Sequence, residues 1–311
     1  MTMKMQNPRQ VYGETLLGLG RENRNVVVLE ADLSKSTMTC LFEKEFPERF
    51  FEMGIGEANM TSFAGGLSLT GKVAFTNSFA VFAAGRAYDQ IRQGISIPKL
   101  NVKIVGSSAG LSDFGDGATH QSVEDIAIMR AIPNMTVLVP VDGIETRKMT
   151  RKIAEYQGPV YMRIDRHDLP NLFPSDQEFE IGKSYLIQEG HDVAIFACGI
   201  MVSKAVQAAE KLEREGISVR VVNVSSLKPT NEDDIKKFSS GVKGIVTAEE
   251  HSLIGGLASV ITYILRGSSV PVVTIGIEDE FGQSAHDYEE LLADYRLTVD
   301  NIIASVKKLV H

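Results

Sequence analysis

Three short stretches carry the residues whose types and spacing could do chemistry. The first is GIGEANM, Gly54 to Met60, following the apolar run Phe50-Phe51-Glu52-Met53. Two glycines permit a tight turn, after which Glu57 opens a helix with Asn59 beside it. An acidic residue in a helix's first turn favours the macrodipole, and that structural reading competes with a functional one. The neighbours Met53, Ile55 and Met60 weigh for function. They would desolvate the carboxyl group and raise its pKa, so that it could exchange a proton with a ligand nitrogen.

The second stretch is TNSFAVFAAGRAYDQ, Thr76 to Gln90. Phe79 and Phe82 lie three apart where a strand runs into a helix, so both rings could flank one flat object, with room left by Ala80, Ala83 and Ala84. Aromatic residues at helical spacing also pack cores, and that alternative stays open. The third is GDGATHQ, Gly115 to Gln121. Asp-Gly is an ordinary turn, and Ser122 with Asp125 forms a plausible capping box. His120 weighs on the other side. An imidazole at the carboxyl edge of a strand, beside a helix amino end that attracts anions, stands where open α/β sheets bind ligands.

The elements that must position these residues alternate between short β-branched runs and longer stretches of helical spacing, which favours α/β layers around a mostly parallel sheet. Strands are expected at 26–33, 72–78, 101–107, 135–141 and 159–165, with helices at 11–19, 58–69, 80–93, 123–131 and 144–156. Pro170 and Pro174 interrupt a polar tract that reads as a linker over 168–180. Beyond it the alternation resumes: strands at 193–197, 219–224, 244–248 and 272–277, helices at 202–215, 256–265, 288–295 and 300–309. The fold class is therefore α/β, two doubly wound, mostly parallel-sheet domains, with boundaries at 1–170, a linker at 171–180 and a second domain at 181–311.

Bulk properties bound the function. At 311 residues the chain exceeds what one core usually organises. A net charge of −8 argues against a general nucleic-acid binder. Two cysteines, Cys40 and Cys198, suggest neither a disulfide framework nor a zinc knuckle. The longest apolar run, 193–202, is about half the ~20 residues a bilayer requires, and 1–10 lacks a signal-peptide core, so a cytoplasmic chain without membrane partners is expected. P-loop, Rossmann, zincin and serine-hydrolase motifs are absent. The tripeptide Asp113-Phe114-Gly115 looks kinase-like but lacks every companion motif, and reads as coincidence. No histidine pair is spaced as a metal site on a helix face.

Together the three stretches resemble the thiamine diphosphate enzymes of the transketolase type, in which G-I-x-E-x-N-M, an aromatic stretch before R-A-Y-D-Q, and D-G-x-T-H-Q occur in this order. The resemblance covers essentially the whole chain and implies a pyrimidine-binding domain followed by a transketolase C-terminal domain. GPVYMRIDRHDLP and EEHSLIGGLAS fit the same pattern. The family's amino-terminal domain, whose G-D-G…N motif holds metal and diphosphate, has no counterpart here. The resemblance thus implies the C-terminal subunit of a split transketolase. A separate N-terminal subunit would supply the diphosphate half of the site and hold Mg²⁺ (or Ca²⁺), with each site at an interface of an α₂β₂ complex.

By the same resemblance Glu57 would bond N1′ of the aminopyrimidine and favour the imino tautomer whose nitrogen makes the thiazolium ylid. Phe82, ranked ahead of Phe79, would stack on the pyrimidine. Asp32 and Ser36 would approach the thiazolium and the sugar phosphate, while Asp116 and His120 would grip the donor's hydroxyl groups. Arg166, with Arg9 as a second ligand, would bind sugar phosphates; an ion pair of Arg166 with Asp165 or Asp168 is the competing reading. One departure stands out. Transketolases often carry a further histidine ahead of D-G-x-T-H, where GSSAGL, Gly106 to Leu111, has serines. The implied activity is transfer of a two-carbon ketol unit from a ketose phosphate to an aldose. The β subunit of a 2-oxo acid dehydrogenase, a 1-deoxyxylulose-phosphate-synthase-like enzyme and a non-enzymatic phosphometabolite-binding module are the alternatives.

Overall fold

Runs such as Val26-Val27-Val28-Leu29 and Val193-Ala194-Ile195-Phe196 are apolar on both faces, which suits strands covered by helices on both sides. The computed structural model, which describes residues 4–310, places them so. The first sheet has seven strands in the order Ser226–Lys228, Thr136–Leu138, Val160–Arg163, Val102–Ser107, Val73–Phe79, Val26–Glu30, Phe50–Glu52. All pairings are parallel except that of Ser226–Lys228 with Thr136–Leu138. The second sheet runs Val272–Ile277, Gly244–Ser252, Val193–Ala197, Val219–Asn223, Tyr185–Gln188, and only the last strand is antiparallel. The mostly parallel α/β expectation holds in both halves.

The halves are stitched together. Strand Ser226–Lys228, from beyond the linker, completes the edge of the first sheet, and Lys228 donates to the carbonyls of Arg130 and Ile132. Burial follows the same line, since Val137, Val139 and Tyr161 share one apolar cluster with Val222, Val224 and Leu227. The tract read as a linker is itself anchored. Leu169–Pro170 pairs with Met5–Gln6 as a two-stranded ribbon, and the carboxylate of Asp142 accepts from the backbone amides of Leu172 and Phe173. Pro170 is tolerated there because a two-residue edge strand needs no donor from it.

Two local expectations fail. The helix over 80–93 is broken into π-helical turns at Val81–Arg86 and Ile91–Ser96 joined by the short helix Tyr88–Gln90. Gly85 and Gly94 fall inside those turns, where glycine weakens the regular ladder and the wider turn displaces the side chains that follow. The capping box of Ser122 and Asp125 does not form: the helix Asp125–Ala131 has no side-chain cap. Ser122 pairs through its backbone with Gly110, and Asp125 turns inward to accept from Tyr161 Oη at 2.7 Å and Arg163 Nε at 3.0 Å. Among the described residues no helix is long and apolar enough to cross a membrane.

Candidate active site

In a parallel sheet every strand delivers its following loop to one edge, so residues far apart in sequence meet there. Four adjacent strands do this. Val26–Glu30 is followed by Asp32 and Ser36, Val73–Phe79 ends on Phe79, Val102–Ser107 leads to Asp116 and His120, and Val160–Arg163 leads to Arg166. Glu57 arrives by the same logic as the first residue of the helix Glu57–Leu69, after strand Phe50–Glu52 and a turn in which Gly54 has φ +64°.

Glu57 is 3% exposed. Its surroundings differ from the apolar pocket expected. Met60 is buried, but Ile55 is 75% exposed, and the carboxylate accepts from Arg86 Nη1 at 3.1 Å. Arg86 is half exposed and its guanidinium also covers the ring of Phe82, 4.0 Å from the centroid. Phe79 and Phe82 stack with centroids 6.2 Å apart and 19° between planes. Two van der Waals contacts of about 3.5 Å each would need about 7 Å, so the rings do not bracket a flat ligand between them; they form one paired surface. His120 closes it edge-on, 5.3 Å from Phe82 and 6.2 Å from Phe79, with Nδ1 2.9 Å from Thr119 Oγ1.

The loop carrying Asp32 and Ser36 is held by two carboxylates. Asp32, at φ +62°, donates its N–H to Glu52, whose Oε1 also accepts from the amide of Gly54 in the Glu57 turn. Beneath it Glu30 is fully buried and accepts from the hydroxyls of Thr37 at 2.7 Å and Thr39 at 2.6 Å. Burial pushes the Glu30 carboxyl up to about 8 against the pull of those donors.

At the other end of the rim the two arginines meet. Arg9 donates to the carbonyl of Ser36 at 2.9 Å, and burial followed by the nearby charge of Arg166 lowers its pKa. Arg166 does not pair with Asp165 or Asp168; its Nη1 lies 2.6 Å from the carboxylate of Asp113. Asp165 and Asp168 are occupied elsewhere, Asp168 accepting from Asn7 and Asp165 from Tyr288 Oη and the backbone amide of His167. Tyr288, from the second half, also bonds Glu250 at 2.8 Å, and burial followed by Asp165 raises the Glu250 carboxyl to about 8. Glu250 in turn accepts from the amide of Leu111, so the second half holds the base of the Asp116–His120 loop.

Sequence reasoning missed Glu30, Glu52, Arg86 and Asp113. Asp113 had a visible signal in the tripeptide set aside as coincidence; Phe114 beside it lies 5.6 Å from the His167 ring, which stacks on Tyr288. Among the described residues no three His, Cys, Asp or Glu side chains converge as a metal site.

With this geometry in view, the chain matches the model of the transketolase pyrimidine-binding domain over residues 4–171 and of the transketolase C-terminal domain over residues 182–302. The chain belongs to the transketolase family. It is 47% identical over 298 residues to the putative transketolase C-terminal section of Methanocaldococcus jannaschii, covering 94% of this chain and 93% of that protein. It is 38% identical to the 6-deoxy-6-sulfo-D-fructose transketolase subunit of a Clostridium species, covering 97% and 94%. A solved structure described as a split gene transketolase, inactive beta4 tetramer, superposes with a TM-score of 0.88 at 46% identity, covering 97% of both chains. This transketolase chain thus corresponds to the C-terminal section of a split enzyme. These matches do not favour a dehydrogenase β subunit or a binding module.

Proposed function

We propose that this chain is the C-terminal subunit of a two-chain transketolase, moving a two-carbon ketol unit from a ketose phosphate to an aldose or aldose phosphate. The observation that carries the reading is the meeting, on one sheet edge, of a buried helix-first carboxylate, an aromatic surface, a histidine and a pair of arginines. Thiamine diphosphate fits this rim. Ser107 Oγ, Ser108 Oγ and Arg9 Nε are buried there without a protein partner, and Glu57 is shielded on a face whose bonded cation is a half-exposed arginine. When bound, the cofactor supplies an acidic thiazolium carbon that adds to a carbonyl once deprotonated.

Glu57 would bond the pyrimidine N1′ through a shared proton, and Phe82, with Phe79 beside it, would present a surface for that ring. Asp116 and His120 orient the ketose hydroxyl groups, with His120 placed to move a proton at the substrate oxygen. Asp32 and Ser36 line the passage between the two ends, and Arg9 and Arg166 bind the terminal phosphate. The diphosphate and its Mg²⁺ (or Ca²⁺) fall to an N-terminal partner subunit, which places each site at an interface of an α₂β₂ assembly in the cytoplasm. The solved relative described as an inactive beta4 tetramer supports a need for that partner.

Mixing the chain with an N-terminal transketolase subunit, thiamine diphosphate and Mg²⁺ should yield glycolaldehyde transfer across a sugar panel, and the chain alone should yield none. Full-rate transfer by the chain alone would contradict the proposal. In the reconstituted complex Glu57→Ala should slow hydrogen–deuterium exchange at C2 of the bound cofactor by about 10²–10⁴-fold. Unchanged exchange removes Glu57 from the role.

A further inference from the structure

The anion-binding end of the rim contains an acid where an anion is to be bound. Asp113 is 3% exposed and its carboxylate lies 2.6 Å from Arg166 Nη1, whose side chain remains 35% exposed. The position of Asp113 is built in. Its carbonyl accepts from the amide of Gly117 at 3.3 Å and from Gln121 Nε2 at 3.2 Å, and the same Gln121 amide reaches the carbonyl of Gln283 in the second half at 3.0 Å. The next residue is fixed as well, since the carbonyl of Phe114 accepts from the amide of Ala285. With two hydrogen bonds at its own carbonyl and a third at the carbonyl of the next residue, the Asp113 backbone does not follow the guanidinium when a ligand arrives.

We propose that Asp113 is a specificity-determining residue, a fixed counter-ion that narrows the preference of the Arg9–Arg166 subsite for a doubly charged phosphate terminus over a singly charged one. The inference rests on the reading of Arg9 and Arg166 as the subsite for the substrate's terminal anion. Two guanidinium groups bring two positive charges, and Asp113 cancels one. Its repulsion acts on every ligand in proportion to ligand charge, so a doubly charged phosphate loses twice the logarithm of affinity that a singly charged group loses. Burial raises the Asp113 pKa against the pull of Arg166, with Asp116 adding to the rise.

The test uses the full chain and two probes: inorganic phosphate at about pH 8, mostly dianionic, and methanesulfonate, a monoanion, each titrated by NMR. Asp113→Asn keeps the side chain's shape and its backbone clamp. It should tighten phosphate about tenfold and methanesulfonate about threefold, the ratio that proportionality to charge requires. Asp113→Ser must move both in the same direction. Equal changes for the two probes, no change, or weaker phosphate binding overturns the inference; the last outcome would make Asp113 a prop for Arg166. Arg166→Met should weaken phosphate at least tenfold. If it does not, the subsite reading falls together with the inference, whereas failure confined to the Asp113 variants leaves the proposed activity standing.

Discussion

Glu30 ties the stability of the chain to the loop that carries Asp32 and Ser36, which makes it a sharp point of attack. The carboxyl is buried at the end of strand Val26–Glu30 and is satisfied by two threonine hydroxyls and the amide of Ala31. Burial raises it from 4.5 to about 8. The folded state therefore binds this proton more tightly than the unfolded state. The stability it contributes is fully present below about pH 4.5 and is lost as pH rises through about 8. At about 1.4 kcal/mol for each tenfold step in proton affinity, the loss reaches about 5 kcal/mol as a ceiling. Water entering beside the ionised group reduces it, and about 2–5 kcal/mol is the expected range. Glu30→Gln keeps the size and cannot titrate. Denaturant unfolding of both proteins at pH 5 and pH 8.5 gives four stabilities, and the wild-type difference should exceed that of Glu30→Gln by about 2–4 kcal/mol, since part of the loss precedes pH 5. The other raised buried carboxyls, Glu145, Glu249 and Glu250, contribute to both proteins alike and cancel. Parallel pH profiles would refute the reasoning, because they would mean the carboxyl ionises in the folded state as easily as in water.

Two further substitutions probe how the second half holds the site loop. Gly110 has φ +64° and a Cβ there would overlap the Glu250 carboxylate, so Gly110→Ala should cost about 2–4 kcal/mol in denaturant unfolding; an unchanged midpoint would show that the loop and Glu250 part readily. Tyr288→Phe removes the hydroxyl shared by Asp165 and Glu250 and should cost about 1–3 kcal/mol. Because that hydroxyl lowers the pKa of both carboxyls, the cost should be larger at pH 8.5 than at pH 5, and a cost independent of pH would mean the bridge does not favour the ionised forms.

What the sequence made legible was what local chemistry specifies. An unbroken apolar run marked Val193–Ala197 to the residue, because a strand buried on both faces has no polar alternation to blur its ends, and the β-branched run of the half-exposed edge strand Val272–Ile277 marked that element equally well. Short elements left little trace. Ser226–Lys228 is three residues long and exists because an edge of the other half's sheet lies open to it, which no window of sequence can contain. The helix Glu232–Phe238 buries only Ile235, so its apolar period is too thin to see, although Asn231 followed by three acids was a start signal that went unread.

The same division runs through the site. Glu57, Asp116, His120 and Arg166 stand in recognisable local strings, and the parallel topology alone suffices to gather them at one edge. What modulates them comes from the opposite direction in each case. Arg86 reaches Glu57 because a π-helical turn rotates it back over Phe82; Glu30 acquires its raised pKa only when residues 37–39 close over a strand end; Asp113 meets Arg166 because the second half clamps the intervening loop. Charges that would attract one another in any compact chain are here held by backbone bonds made for other reasons. A substitution at those bonds should therefore change the site without touching any proposed substrate ligand, and for Asp113 the bonds from Gln121 to Gln283 and from Ala285 to Phe114 lie in the contact between the halves.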